Sequence, residues 1–272
     1  MADESDNLAT YASLLKSVSA GMVRVVTAHV ASRELHALGF TVHAVRRQDE
    51  ESGRDSGGLV AEICKMAPEL YLDTFWYVSN ISHLIYATTI LDSFLTDTTR
   101  FLFLLHPRAL GKDRAVSIEA VMNASTLSAL IRDAVAKRVR EIGHEKFVRR
   151  IEILCERFGL DLELAQEVRD GLDHYSSIRN AVIHDQGYQQ LELSDSGALT
   201  VSRKACPRHP TPVSDEDLES AIRAYVCTCR ALYSAVATGV LNGAGRKPYE
   251  ASIAEFAEHE ELLWNIWKHP AA

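Results

Sequence analysis

The sequence predicts a mainly α-helical bundle with one small β-hairpin, and three observations carry that expectation. Apolar residues recur at helical spacing along most of the chain, glycines and prolines fall where helices should stop and start, and a period of two occurs only in a short stretch after Gly187. No internal repeat or low-complexity tract interrupts the pattern, and a hydrophobic content of 47% in 272 residues is enough to bury a substantial core.

The elements follow in order. Leu8, Tyr11, Leu15, Val18, Met22, Val25 and Val26 mark one face of a helix expected over residues 8–38, with Gly39 as its stop. The charged stretch 48–58 reads as an exposed loop. Residues 59–66 predict a short helix, and Pro68 opens a long one that His106-Pro107 ends. A helix of that length, about 37 residues or roughly 55 Å, predicts a break, placed at Ser79-Asn80. Residues 117–142 predict one or two helices, 145–158 another closing on Gly159, and 162–184 the helix that carries the chemistry. Residues 188–193 and 198–201 then alternate around Asp195-Ser196-Gly197, which predicts the hairpin. Beyond Pro207, Pro210 and Pro212, Ser214-Asp215-Glu216-Asp217 is a capping signature for a helix reaching about Leu241. Gly243-Ala244-Gly245 breaks it, and residues 249–267 form the last helix, with Glu255, Glu258, Glu260 and Glu261 outward. The chain thus divides into an N-terminal helix and charged loop (1–58), a helical bundle (59–241) and a C-terminal helix packed on it (242–272).

A net charge of -8 and a pI near 5.8 argue against a surface that binds long nucleic acid by charge alone, so any RNA contact must be local. Five cysteines in unpaired spacing suit free thiols in a reducing compartment, and a cytoplasmic location is expected. The acidic N-terminus lacks the pattern of a signal peptide, and the most apolar run, residues 101–105, is too short to span a bilayer, so no membrane insertion is expected.

No cofactor and no metal are expected either. Cys206 and His209 have ligand spacing without a second pair nearby, and Cys227 and Cys229 point about 200° apart on a helix. Residues 239–245 lack the Gly-Lys-Ser/Thr ending of a phosphate loop and read as a linker, while Trp264 and Trp267 read as core or interface anchors.

An arginine and a histidine separated by four residues occur three times: Arg24/His29, Arg169/His174 and Arg179/His184. Chance supplies about one such pair at this composition, so context discriminates. Arg24 reads as a snorkelling side chain and His29 as a helix-surface histidine; Gly171 and Asp173 make a poor helix interior around the second pair. Between Arg179 and His184 stand Asn180 and then apolar Ala181, Val182 and Ile183, with Gly187 and the hairpin next. At about 100° per residue, Asn180 and His184 share a face while Arg179 lies about 140° from His184. Two copies around a twofold axis would gather two Arg, two Asn and two His at one cleft. Such a cleft suits RNA cleavage without metal. Histidine moves protons at the ribose 2′-OH or the leaving 5′-oxygen, and arginine forks onto the phosphate as charge builds. Asparagine would orient a partner.

Residues 178–184 (Ile-Arg-Asn-Ala-Val-Ile-His), at a helix end before a hairpin, resemble the motif of the HEPN superfamily: Arg, a polar residue, three residues, His. Leu91-Asp92-Ser93-Phe94-Leu95, leading to His106-Pro107, is similar to an earlier HEPN helix, and residues 150–160 resemble the helix before the motif. The likeness covers about residues 75–233, best with bacterial standalone HEPN proteins related to the RiboL-PSP-HEPN group; residues 1–58 and the last helix lie outside it. It implies a bundle that dimerises through its motif helices. It also implies a metal-independent endoribonuclease of toxin or antiviral systems, with RNA as substrate and an antitoxin or defence partner. Arg179, Asn180 and His184 would be the catalytic set, and Asp92 would take the place of the family's acidic helper, one methylene shorter than the usual Glu. Since other members have lost activity, the alternative expectation is a non-catalytic module that binds RNA, nucleotide or a partner protein.

Overall fold

A computed structural model describes residues 4–54, 58–66, 69–111, 126–185, 190–193, 199–202, 213–243 and 247–268. Among them, the chain is mainly helical: α1 (Glu4–Glu51), α2 (Leu59–Met66), α3 (Glu69–Leu105), a 3-10 turn (Pro107–Leu110), α4 (Leu127–Gly143), α5 (Phe147–Phe158), α6 (Gln166–Asp185), α7 (Asp215–Gly239) and α8 (Lys247–Lys268). Two four-residue strands, β1 (Gln190–Leu193) and β2 (Leu199–Ser202), pair antiparallel with Leu191 opposite Val201. The residues between them, 194–198, and the proline-rich connector lie outside the described residues, as do Cys206 and His209.

The expected apolar face of α1 is the spine of the core. Leu8, Tyr11, Leu15, Met22, Val25 and Val26 are wholly buried, in one cluster with residues of α3, α5, α6, α7 and α8. Burying such side chains contributes about 1.5–3 kcal/mol each. Tyr11 stacks on Phe101 (5.0 Å) and on Tyr233 (5.2 Å), and Tyr233 stacks on Tyr249 (6.0 Å), so aromatic rings tie α1, α3, α7 and α8 together. The stretch Asp6–Glu51 is long and apolar enough to cross a membrane by length and composition, and half of that apolar window is buried inside the protein.

Three expectations about helix ends are corrected. α1 does not stop at Gly39 but runs on to Glu51, through the residues expected to start a loop. One interior glycine costs only about 1 kcal/mol, and Val42 and His43 beyond it are buried, His43 beside Cys64 of α2 at 3.6 Å. The helix ends instead before Gly53, whose φ of 69° is the left-handed conformation glycine favours. α3 shows no break at Ser79-Asn80. Asn80 does not compete for the backbone of its own helix, because its amide donates to Val213 O at 2.9 Å and to Asp215 Oδ1 at 3.1 Å. α6 begins at Gln166 rather than residue 162, with Leu160 and Leu164 buried in the irregular lead-in.

Elsewhere the local signals act as expected. Gly159 (φ 63°) closes α5, and Ser214 with Asp217 forms a capping box on α7. Gly243 sits where a Cβ would meet Ala237 O at 2.9 Å and Leu8 at 3.1 Å, so the chain turns from α7 toward α8 hard against α1.

Candidate active site

Position on α6 is fixed by its buried side chains. Leu172 and Tyr175 enter the core, and Gly171 lets the helix lie close on α7, where an added Cβ would stand 3.4 Å from the Ala224 Cβ. Four residues beyond Tyr175, Arg179 lies at a pocket of about 280 Å³ between α3, α6 and the turn from α4 to α5. Asn180 and Ser176 line it from α6, Asp92 from α3, and His144 and Lys146 from the turn. The structure therefore brings together three of the four residues singled out in the sequence: Asp92, Arg179 and Asn180. His184 belongs to α6 by its backbone, and its side chain lies outside what is described.

Within the pocket, Arg179 Nη1 donates to Asn180 Oδ1 at 2.9 Å, while Arg179 Nε is buried with no hydrogen-bond partner among the described residues. Neighbouring side chains thus hold each other, and the rest of the guanidinium keeps donors to spare. Asp92 is engaged differently. Arg150 Nη1 donates to its carboxylate, and Arg150 Nη2 donates to Asp92 O at 3.3 Å and to Thr96 Oγ1 at 2.8 Å. Arg150 is 2% exposed, whereas the Asp92 side chain is 47% exposed. Its guanidinium also lies 5.7 Å from the centre of the Phe147 ring. Asp92 is therefore the counter-charge of a buried cation.

Arg150, Lys146 and His144 were not among the residues singled out in the sequence. Arg150 carried a signal there, since with Phe147, Ile151 and Leu154 it falls on the buried stripe of α5. A charge on an apolar stripe requires a partner on a facing helix. Lys146 and His144 carried none, because only the fold brings the α4–α5 turn to α6.

The other two Arg/His pairs are also placed. His29 is not a helix-surface residue; it is 0% exposed, stacked on Trp267 at 4.8 Å and edge-on to His83 at 5.6 Å. Burial, helped by His83 and Arg33, pushes its pKa down to about 4. The apolar stripe of α1 continues through position 29, which explains the difference. Arg169 pairs with Glu152 of α5 at 2.5 Å, and α6 runs unbroken through Gly171 and Asp173. Trp267 is buried and Trp264 lies under the Arg223 guanidinium at 3.9 Å, so both serve packing.

No family model matches the chain, and no characterised protein or solved structure is significantly similar to it.

Proposed function

We propose that the protein is a metal-independent endoribonuclease of the HEPN type, acting in the cytoplasm as a toxin or antiviral effector. The observation that carries this reading is the meeting of Arg179 and Asn180 of α6 with Asp92 of α3 at one pocket. His184 is the acid and base at the ribose 2′-OH and the leaving 5′-oxygen. Arg179 neutralises charge on the scissile phosphate, and Asn180 holds Arg179 in register. β1 and β2 are the arms of the small hairpin after the motif helix, and two motif helices from a homodimer complete the cleft. RNA is the substrate, and a cognate antitoxin or defence partner restrains the enzyme.

Purified protein is expected to cut RNA in the presence of EDTA, with Arg179→Ala and His184→Ala each slower by about 100-fold or more. Cutting only after metal is added, or full activity in His184→Ala, would contradict the assignment.

One observation favours a second reading, a non-catalytic module that binds RNA, nucleotide or a protein. The carboxylate in the helper position is already committed to Arg150. Growth arrest on expression, relieved by Arg179→Ala, would rule this reading out.

A further inference from the structure

The start of α5 forms the other wall of the pocket, and its chemistry is unusual for a helix N-terminus. The first turn of a helix exposes unsatisfied N–H groups and a partial positive charge, so Ser, Thr, Asp or Asn normally occupies the cap. Here the cap is Lys146, no side chain accepts from the first turn, and no acidic residue stands in it. The first amide in the ladder is that of Arg150, which donates to Lys146 O at 2.9 Å; those of Phe147, Val148 and Arg149 lie outside it. A cation at this end opposes the helix dipole. An anion between them reverses that sign.

Two further observations point to such an anion. Arg150 is 2% exposed, lines the same pocket, and has its Nε without a hydrogen-bond partner among the described residues while its Nη groups hold Asp92 and Thr96. Across the pocket Arg179 Nε also has no hydrogen-bond partner among the described residues. Three cations, Lys146, Arg150 and Arg179, face two carboxylates there, Asp92 and Glu145, and Asp92 is already neutralised by Arg150. In a chain of net charge -8 this is a local excess of positive charge.

We propose that this pocket is a phosphate subsite, in which Lys146 and the first-turn amides of α5 hold one phosphate group of a nucleotide chain. That the phosphate belongs to RNA rests on the nuclease reading above; the binding itself does not. The subsite would hold a phosphate beside the scissile one and set the shortest RNA that the protein engages well.

The test is calorimetric titration of inorganic phosphate into the full chain, with acetate as control. The wild type is expected to bind phosphate in the millimolar range, and not acetate. Lys146→Ala should weaken phosphate at least five-fold and Lys146→Glu should abolish it, whereas Lys137→Ala, on α4 and away from the pocket, should leave it unchanged. Circular dichroism checks folding, which the exposed position of Lys146 should spare. Absence of phosphate binding in the wild type, or equal binding in Lys146→Glu, overturns the subsite. Lys146-dependent binding by a protein that cuts no RNA upholds the subsite and removes the nuclease reading instead.

Discussion

At the scale of single residues, the pairing of Arg150 with Asp92 does most to determine what the pocket can do. Arg150 is almost fully buried and its charge is answered by one half-exposed carboxylate. Asp92→Ala would leave a buried guanidinium facing only Thr96 and the Asp92 carbonyl, a loss of about 2–4 kcal/mol after allowance for the exposed side of the pair. Asp92→Asn, which keeps an acceptor, should lose less; urea denaturation of both variants measures the difference. A larger loss in the Asn variant would mean that the charge pair is not what holds the site. His29 gives a second residue-scale prediction. Its pKa near 4 in the fold lies below the ordinary 6.5, so the unfolded chain binds its proton first as pH falls. Stability should therefore rise with pH between about 4 and 6.5, by up to about 3 kcal/mol from this group. His83, lowered by burial, acts in the same direction; Asp215, raised by burial, opposes it just above the ordinary carboxylate range. A His29→Phe variant that kept the full acid sensitivity would contradict this.

At the scale of elements, the helices and most of their ends were legible because their causes are local. Ser214 and Asp217 form the capping box their spacing predicts, and Gly159 adopts the left-handed turn. What was not legible depended on contacts between elements. Gly39 and Asn80 carry breaker or turn propensities, yet packing of α1 on α2 and the reach of Asn80 to the start of α7 outweigh them. His29 was misread for the same reason, since its partners Trp267 and His83 lie on α8 and α3. Two substitutions test these inter-element joints. Tyr11→Ala should cost about 3–5 kcal/mol, by opening a cavity between the three rings of Phe94, Phe101 and Tyr233. Gly243→Ala should cost about 1–3 kcal/mol, because the new methyl meets the Ala237 carbonyl and Leu8. Thermal unfolding followed by circular dichroism checks both, and an unchanged midpoint in either variant would refute the corresponding contact.

For the whole molecule, α1 and α8 share one core with the helices that build the pocket. The wider fold thus fixes where α3, α5 and α6 meet, and with it the pocket lined by Asp92, Lys146, Arg150, Arg179 and Asn180. Of the residues that line the pocket, Asp92, Arg179 and Asn180 could be singled out in the sequence, whereas Lys146 and His144 of the α4–α5 turn depend on tertiary placement. The proposed reaction is cleavage of RNA by proton transfer at the ribose 2′-OH. Its most direct test is the chemistry of the ends left after cleavage in EDTA. A 2′,3′-cyclic phosphate and a 5′-OH are expected from the wild type and neither from His184→Ala; ends bearing a 3′-OH and a 5′-phosphate would contradict the proposed reaction.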